Sequence, residues 1–248
     1  MTARVDQIFR HPIKAHGVEA LREVTLKANE TMPWDRHWAV AHDASKADAS
    51  AWARCSNFSR GAGAPQLMAI AAQLNEATGI VTLTHPERPS ISFDPDTEAS
   101  ALLDWVSPLM PKDRAQSSHI LSVPGRGMTD SDFPSVSINS AASLSDLSTR
   151  MGQELSRLRW RGNIWLDGLA TPWEELDWVG KTISIGEAEL LIEAPITRCR
   201  STTANPETGE RDANTLGALN DLGHQFFGMA GRVTKAGRIR CGDRARLL

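Results

Sequence analysis

The longest unbroken apolar run in this 248-residue chain is six residues, Leu67 to Ala72. A bilayer-spanning helix needs about 20. Apolar residues come instead in short stretches separated by Pro, Gly and polar turn signals, so a core has to be assembled from many short elements. Hydrophobic residues make up 41% and charged residues 23%, an ordinary globular mix, and the length sets a prior of one or two domains. A formal net charge of −3 supplies no global positive field for nucleic acid or an anionic membrane. The N-terminal MTARVDQIFRHP has no apolar h-region, so no secretory signal is expected and the expected location is cytoplasmic.

Arg4–Phe9, Val18–Lys27 and Arg36–His42 read as strands bounded by H-P, H-G and M-P turns. Pro65–Ala77 reads as a helix with Pro at its start and Gly79 past its end. A hairpin is expected from Ile80–Thr84 and Ser90–Phe93. The apolar spacing from Ala99 to Met110 then predicts a helix that Asp96 can cap. The loop-rich stretch 111–132 divides an N-terminal region, 1–110, from a C-terminal one, 111–248. Beyond it the pattern predicts a strand at Ser135–Ile138, a helix from Ser140 to Arg150, a strand over Arg157–Asp167 and a hairpin about Gly186. An extended segment through Cys199, a helix near Asn214–Gln225 and two closing strands complete the chain. Such an order suggests a mixed α+β protein dominated by β, with a barrel-like core and inserted short helices.

Three cysteines, Cys55, Cys199 and Cys241, are too scattered for a disulfide framework or a C-x-x-C zinc site. His11/His16 and His37/His42 are each five apart, off the i, i+4 face of a helix. No G-x-G-x-x-G after a strand, Walker loop, G-x-S-x-G or H-E-x-x-H is present. Eight Trp against no Tyr make Trp a main bulky filler.

The most pointed segment is APITRCRSTTANPETGERD, residues 194–212. Extended, it puts Thr197, Cys199, Ser201 and Thr203 on one face, and Arg198 and Arg200 beside the thiol favour its nucleophilic, metal-binding thiolate. The same pattern fits a small core cysteine flanked by solvated arginines. Read as a strand, RLRWRGNIWLD (157–167) puts Arg157, Arg159, Arg161 and Asn163 on one side. That face suits a polyanion or simply solvent. Ser137–Ser140 before a helix offers either an anion-receiving N-terminus or plain capping.

Taken in order, HPIK (11–14), Asp35-Arg36, SAASL (140–144), RWRGN (159–163), WVG (178–180), TRC (197–199), NPETG (205–209) and GRIRCGD (237–243) resemble the MOSC-domain family (molybdenum cofactor sulfurase C-terminal domain). The likeness runs from about residue 4 to the C-terminus and includes the family's N-terminal β-barrel region. The chain is similar to the amidoxime-reducing component type, which implies a molybdenum–molybdopterin cofactor. The resemblance assigns Cys199 as the protein ligand to molybdenum and as the catalytic position. It places Lys14, Arg36, Ser143, Arg161, Asn163, Thr197 and Arg198 around the cofactor, with Arg54 or Arg60 as a further match. His11 stands where the family usually has Tyr, Ala15 where it has Ser, Gly162 where Pro is common, and Asn205 where Asp is usual.

By the same resemblance the reaction is two-electron oxygen removal from an N-hydroxylated compound, N-oxide or sulfoxide. The alternative is a sulfur-carrier or cofactor-binding module with a Cys199 persulfide. A small-molecule substrate and a separate electron donor (flavoprotein, ferredoxin or cytochrome b5-like) are implied. No nucleic-acid, membrane or pyridoxal-phosphate site is expected.

Overall fold

Short strands, most of them closed by a turn residue, make up much of residues 3–248, the part of the chain that the computed structural model describes. The chain opens with β1 (Arg4–Arg10), β2 (Ile13–Lys14), β3 (Glu19–Leu21), β4 (Glu23–Leu26) and β5 (Trp38–His42). Next come β6 (Ala71–Leu74), β7 (Val81–His85), β8 (Arg88–Phe93), α1 (Ala99–Val106) and β9 (Ser117–Ser122). The second half runs β10 (Val136–Ser140), α2 (Ala141–Met151), β11 (Ile164–Asp167), β12 (Thr182–Ile185) and β13 (Ala188–Thr197). It ends with α3 (Thr215–Asp221), β14 (Phe226–Lys235), β15 (Gly237–Arg240) and β16 (Ala245–Leu247).

Eight strands form one sheet in the order β16-β12-β13-β14-β10-β11-β1-β3. Its neighbours are antiparallel except β10 and β11. The sheet closes on itself. Val5 N donates to Asp243 O at 2.8 Å, Gly242 N to Val5 O at 2.6 Å and Ala245 N to Ala3 O at 2.8 Å, which ties the start of β1 to the segment entering β16. Closure removes the open edge that β1 and β16 would otherwise present. Alternate side chains fill the interior, among them Val5, Ile138, Ile164, Ile183, Leu190 and Met229. The first strand of the chain therefore completes the sheet of the C-terminal half.

A second body holds β2-β5-β9 and β6-β7-β8 as three-stranded sheets, with α1 laying Leu102, Trp105 and Val106 onto them. Tryptophan does fill the cores: Trp38, Trp160 and Trp165 are among the largest fully buried side chains.

Several elements differ from the sequence expectation. Residues 65–77 do not form a helix. A 3₁₀ turn, Pro65–Ala69, leads into β6, because pairing of Ala71–Leu74 with β7 overrides a local helical preference. The strand expected over 157–167 is a 3₁₀ turn, Arg157–Trp160, then Arg161 in a left-handed conformation, then β11 from Ile164. Val18–Lys27 is two strands broken at Arg22. Helix α1 starts at Ala99 with Glu98 before it, and Asp96 instead accepts the Trp38 indole N–H at 2.7 Å. Past Thr197 the extended segment curls into a 3₁₀ turn, Arg200–Thr203, and α3 ends at Asp221, short of Gln225. Ser140 caps α2 by accepting from Ser143 N at 3.1 Å.

Candidate functional site

A cavity of about 250 Å³ opens between the closed sheet and the second body. The backbone that reaches it is bent at three non-glycine residues with positive φ: Ala15 (63°), Arg36 (51°) and Arg161 (47°). All three line the cavity. Such conformations are uncommon and cost roughly 1–3 kcal/mol each, so surrounding bonds have to hold them. At Arg36 they do: its N–H donates to His11 O at 2.7 Å and its carbonyl accepts from Met128 N at 2.8 Å. Its Nη2 donates to Arg161 O at 2.7 Å, and Arg161 Nη2 donates to Gly17 O at 3.0 Å. The turns at Arg36 and Arg161 are thus bonded to one another, and each aims a cation inward.

Charge is lopsided here. Lys14, Arg36, Arg60, Arg159, Arg161 and Arg198 line the cavity against one carboxylate, Asp130. Three of the cations have acidic partners: Lys14 with Asp130, Arg36 with Asp35, and Arg159 with Asp212. Among the described residues no carboxylate pairs with Arg60, Arg161 or Arg198. Enclosure, reinforced by Arg36, lowers the Arg161 pKa to about 9. Enclosure lowers that of Arg198 to about 10 against the opposing pull of Cys199 and Asp130. Both stay charged at neutral pH. Burial works against the Asp35 carboxylate, but Arg36 and His11 outweigh it and hold that group well below the usual range. Burial, together with Arg36 and Arg161, lowers His11 to about 3, so this ring remains neutral beside Asp35.

Cys199 stands exposed on the cavity wall just beyond the end of β13, with Sγ 3.2 Å from Ser201 Oγ. Its neighbour Arg198 is fastened from below. Nε donates to Phe227 O at 2.8 Å, Nη1 to Trp160 O at 2.7 Å and Nη2 to Asn139 Oδ1 at 3.3 Å. Trp160 stacks on Phe227 at 3.8 Å beneath it. Irregular pairing between β13 and β14 near Pro195–Thr197 re-aims the strand end, as bulges do beside functional sites.

Of the residues singled out from sequence, Lys14, Arg36, Arg161, Asn163, Thr197, Arg198 and Cys199 all line this one cavity. Ser143 does not. It lies on the buried face of α2, where its hydroxyl donates to the Glu175 carboxylate at 2.6 Å and accepts from Trp173 N at 2.8 Å. The structure does not bring it to the cavity with the others, and its hydroxyl is engaged within the protein. Asn163 reaches the wall with its amide committed to Ser137 and Phe9 O, which makes it a wall-builder. Of the two open arginines, Arg60 lines the cavity, whereas Arg54 is exposed before the 3₁₀ turn Cys55–Asn57.

Asp130 escaped the sequence reading as a site residue, as did Asn139, which lies behind the wall and holds Arg198. Arg159 and Arg161 do share a side, as the strand reading had it, but a 3₁₀ turn and a left-handed residue put them there instead of a strand. Nε and Nη1 of buried Arg159 have no hydrogen-bond acceptor. No group of three or more His, Cys, Asp or Glu is assembled among the described residues. Cys199 would be a single protein donor to a metal whose other ligands came from a cofactor. The unpaired Arg161 and Arg198, with Cys199 on the same wall, suit a group that has an anionic end and a thiophilic metal end.

Both halves of the chain match family models. The chain matches the MOSC N-terminal beta barrel domain over residues 2–112 and the MOSC domain over residues 127–246. No curated protein matches. Among solved structures, the YuaD protein from Bacillus subtilis superposes with a TM-score of 0.52 at 13% identity, covering 100% of this chain and 96% of that one. YiiM from Geobacillus stearothermophilus covers 46% of this chain and 53% of its own at 18% identity, with a TM-score of 0.35.

Proposed function

Because the chain belongs to the MOSC-domain family, we propose that it binds a molybdenum–molybdopterin cofactor in this cavity and reduces N-hydroxylated compounds, N-oxides or sulfoxides. The observation that carries the reading is the pairing of two enclosed arginines, Arg161 and Arg198, with an exposed thiol, Cys199, on one wall. Enclosed guanidiniums without a carboxylate favour a bound anion, and their planar forks match phosphate oxygens. Lys14, Arg36 and Arg161 would neutralise the cofactor's phosphate, and Cys199 would be the protein's sulfur ligand to the metal. The cofactor supplies two-electron oxygen-atom exchange; the protein supplies orientation and electrostatics.

Each residue's task follows from its position. Arg198, anchored on two backbone carbonyls, fixes the turn that presents Cys199. Trp160 and Phe227 form a dry floor under that turn. Asp130 and the Met128 carbonyl hold the Lys14 ammonium at the cavity wall. Cys199 itself is open to the mouth, so an incoming substrate reaches the same point.

That exposure also suits the second reading, a cofactor-binding or sulfur-carrying module in which Cys199 holds a persulfide without turnover. Metal analysis of protein from a molybdenum-replete host, followed by reduced-dye turnover of benzamidoxime, separates the two. Metal with turnover supports the oxidoreductase; metal without it, and a cyanide-releasable sulfur on Cys199, supports the carrier. Cys199→Ala is expected to abolish both the molybdenum signal and turnover. Its thermal midpoint should stay within about 2 °C, because the side chain is exposed. Turnover retained in that variant refutes the ligand role.

A further inference from the structure

Arg60 is the cation in this cavity that the cofactor's phosphate leaves over. A phosphate monoester brings about two negative charges, to which Lys14, Arg36 and Arg161 are assigned above, while Arg198 is spent on the Phe227 and Trp160 carbonyls and Arg159 is paired with Asp212. The only hydrogen-bond acceptor that Arg60 finds among the described residues is Cys55 Sγ at 3.2 Å, and a thiol is a weak acceptor. Its loop lies at the Cys199 end. Arg211 bridges the two, donating from Nη1 to Arg200 O at 2.7 Å and from Nη2 to Ala62 O at 2.9 Å. A Cβ at Gly61 would stand 3.5 Å from Ser201 Cβ. Arg200 and Arg211, like Arg60, have no carboxylate partner among the described residues, so the approach to Cys199 is cationic.

We infer that the substrate carries an anionic group of its own, a carboxylate or sulfonate, and that Arg60 receives it while the group to be reduced lies at the Cys199 end of the cavity. This rests on the oxidoreductase reading above. For an amidoxime the N–O bond breaks. Two electrons from two reduced viologen molecules and two protons from solvent convert it to the amidine, and the oxygen leaves as water.

The test uses cofactor-loaded protein, with benzamidoxime and 4-carboxybenzamidoxime as substrates. The wild type is expected to favour the carboxylate by ~10-fold or more in kcat/KM, the size of one charge-assisted contact. In Arg60→Gln the ratio should fall toward one; in Arg60→Lys most of it should survive. Calorimetric binding of benzoate against benzamide to the same loaded proteins gives a second readout, with benzoate binding lost in Arg60→Gln. Equal kcat/KM for the two substrates overturns the inference and leaves the oxidoreductase standing. If neither substrate turns over, the oxidoreductase reading fails, and the benzoate titration still decides the charge preference. Benzoate that binds no better than benzamide, or equally in Arg60→Gln, overturns it.

Discussion

Gly162→Ala adds one carbon to the most crowded point behind the site. An ideal Cβ there would lie 2.1 Å from Asn139 Nδ2. Asn139 is buried and cannot retreat, because its other side rests on Gly228, where a Cβ would come within 2.4 Å of Oδ1. Its Oδ1 also accepts from Arg198 Nη2. Overpacking of this kind costs typically 1–3 kcal/mol, and a hydrogen bond to a charged group is worth about 1.5–3 kcal/mol. Some relaxation is certain, so a loss of about 2 kcal/mol is expected, equivalent to about 4–8 °C in thermal midpoint for a chain of this size. Differential scanning fluorimetry of cofactor-free protein reads the stability, and molybdenum content reads the effect on Arg198. Adding Asn139→Ala should give room back, so the double variant should be more stable than the two single losses predict by at least about 1 kcal/mol. A Gly162→Ala protein within about 0.5 kcal/mol of wild type, or strictly additive losses, would refute the wedge.

Ser143→Ala should cost about 1–3 kcal/mol by denaturant titration, because it strips the buried Glu175 carboxyl of its partner. Molybdenum content should be unchanged; a fall in content at equal stability would restore Ser143 to the cofactor site. Arg161→Met should lower bound molybdenum at least tenfold while leaving the cofactor-free protein as stable as wild type or more so, since an enclosed unpaired charge is removed. Marked destabilisation of the cofactor-free form would contradict that account. Burial holds His11 at about 3 and His16 at about 4, below the ~6.5 of an unfolded chain. Their neutral forms contribute full stability above about pH 6.5, and it drains away as the unfolded chain takes up protons below that. Each adds a slope approaching about 1.4 kcal/mol per pH unit between there and its folded value. His16→Asn should flatten the pH 4–6 limb of a denaturation series, and an unchanged slope would count against it.

Much of this protein was readable from local chemistry. Gly186 at φ 56° joins β12 to β13 where the sequence signalled a turn, and Ser140 caps α2 with its own hydroxyl. The order of short motifs also carried the family and the residues to watch, because a motif keeps its identity without the fold being known. Local chemistry misled where distant pairing set the outcome. Ala71–Leu74 reads as helix until β7 lies beside it, and Arg157–Trp160 reads as strand until the next residue turns left-handed. Nothing near Ser143 in sequence reveals that Glu175 waits across the helix.

The sequence by itself determined a chain of short strands, an Arg-Cys pair in a segment read as extended and a supply of arginines with no stated purpose. Only the tertiary structure decided that residues 14, 36, 60, 161 and 198 face one space. Electrostatic free energy depends on distance and enclosure, and neither is set until β1 closes the sheet and the second body covers its end.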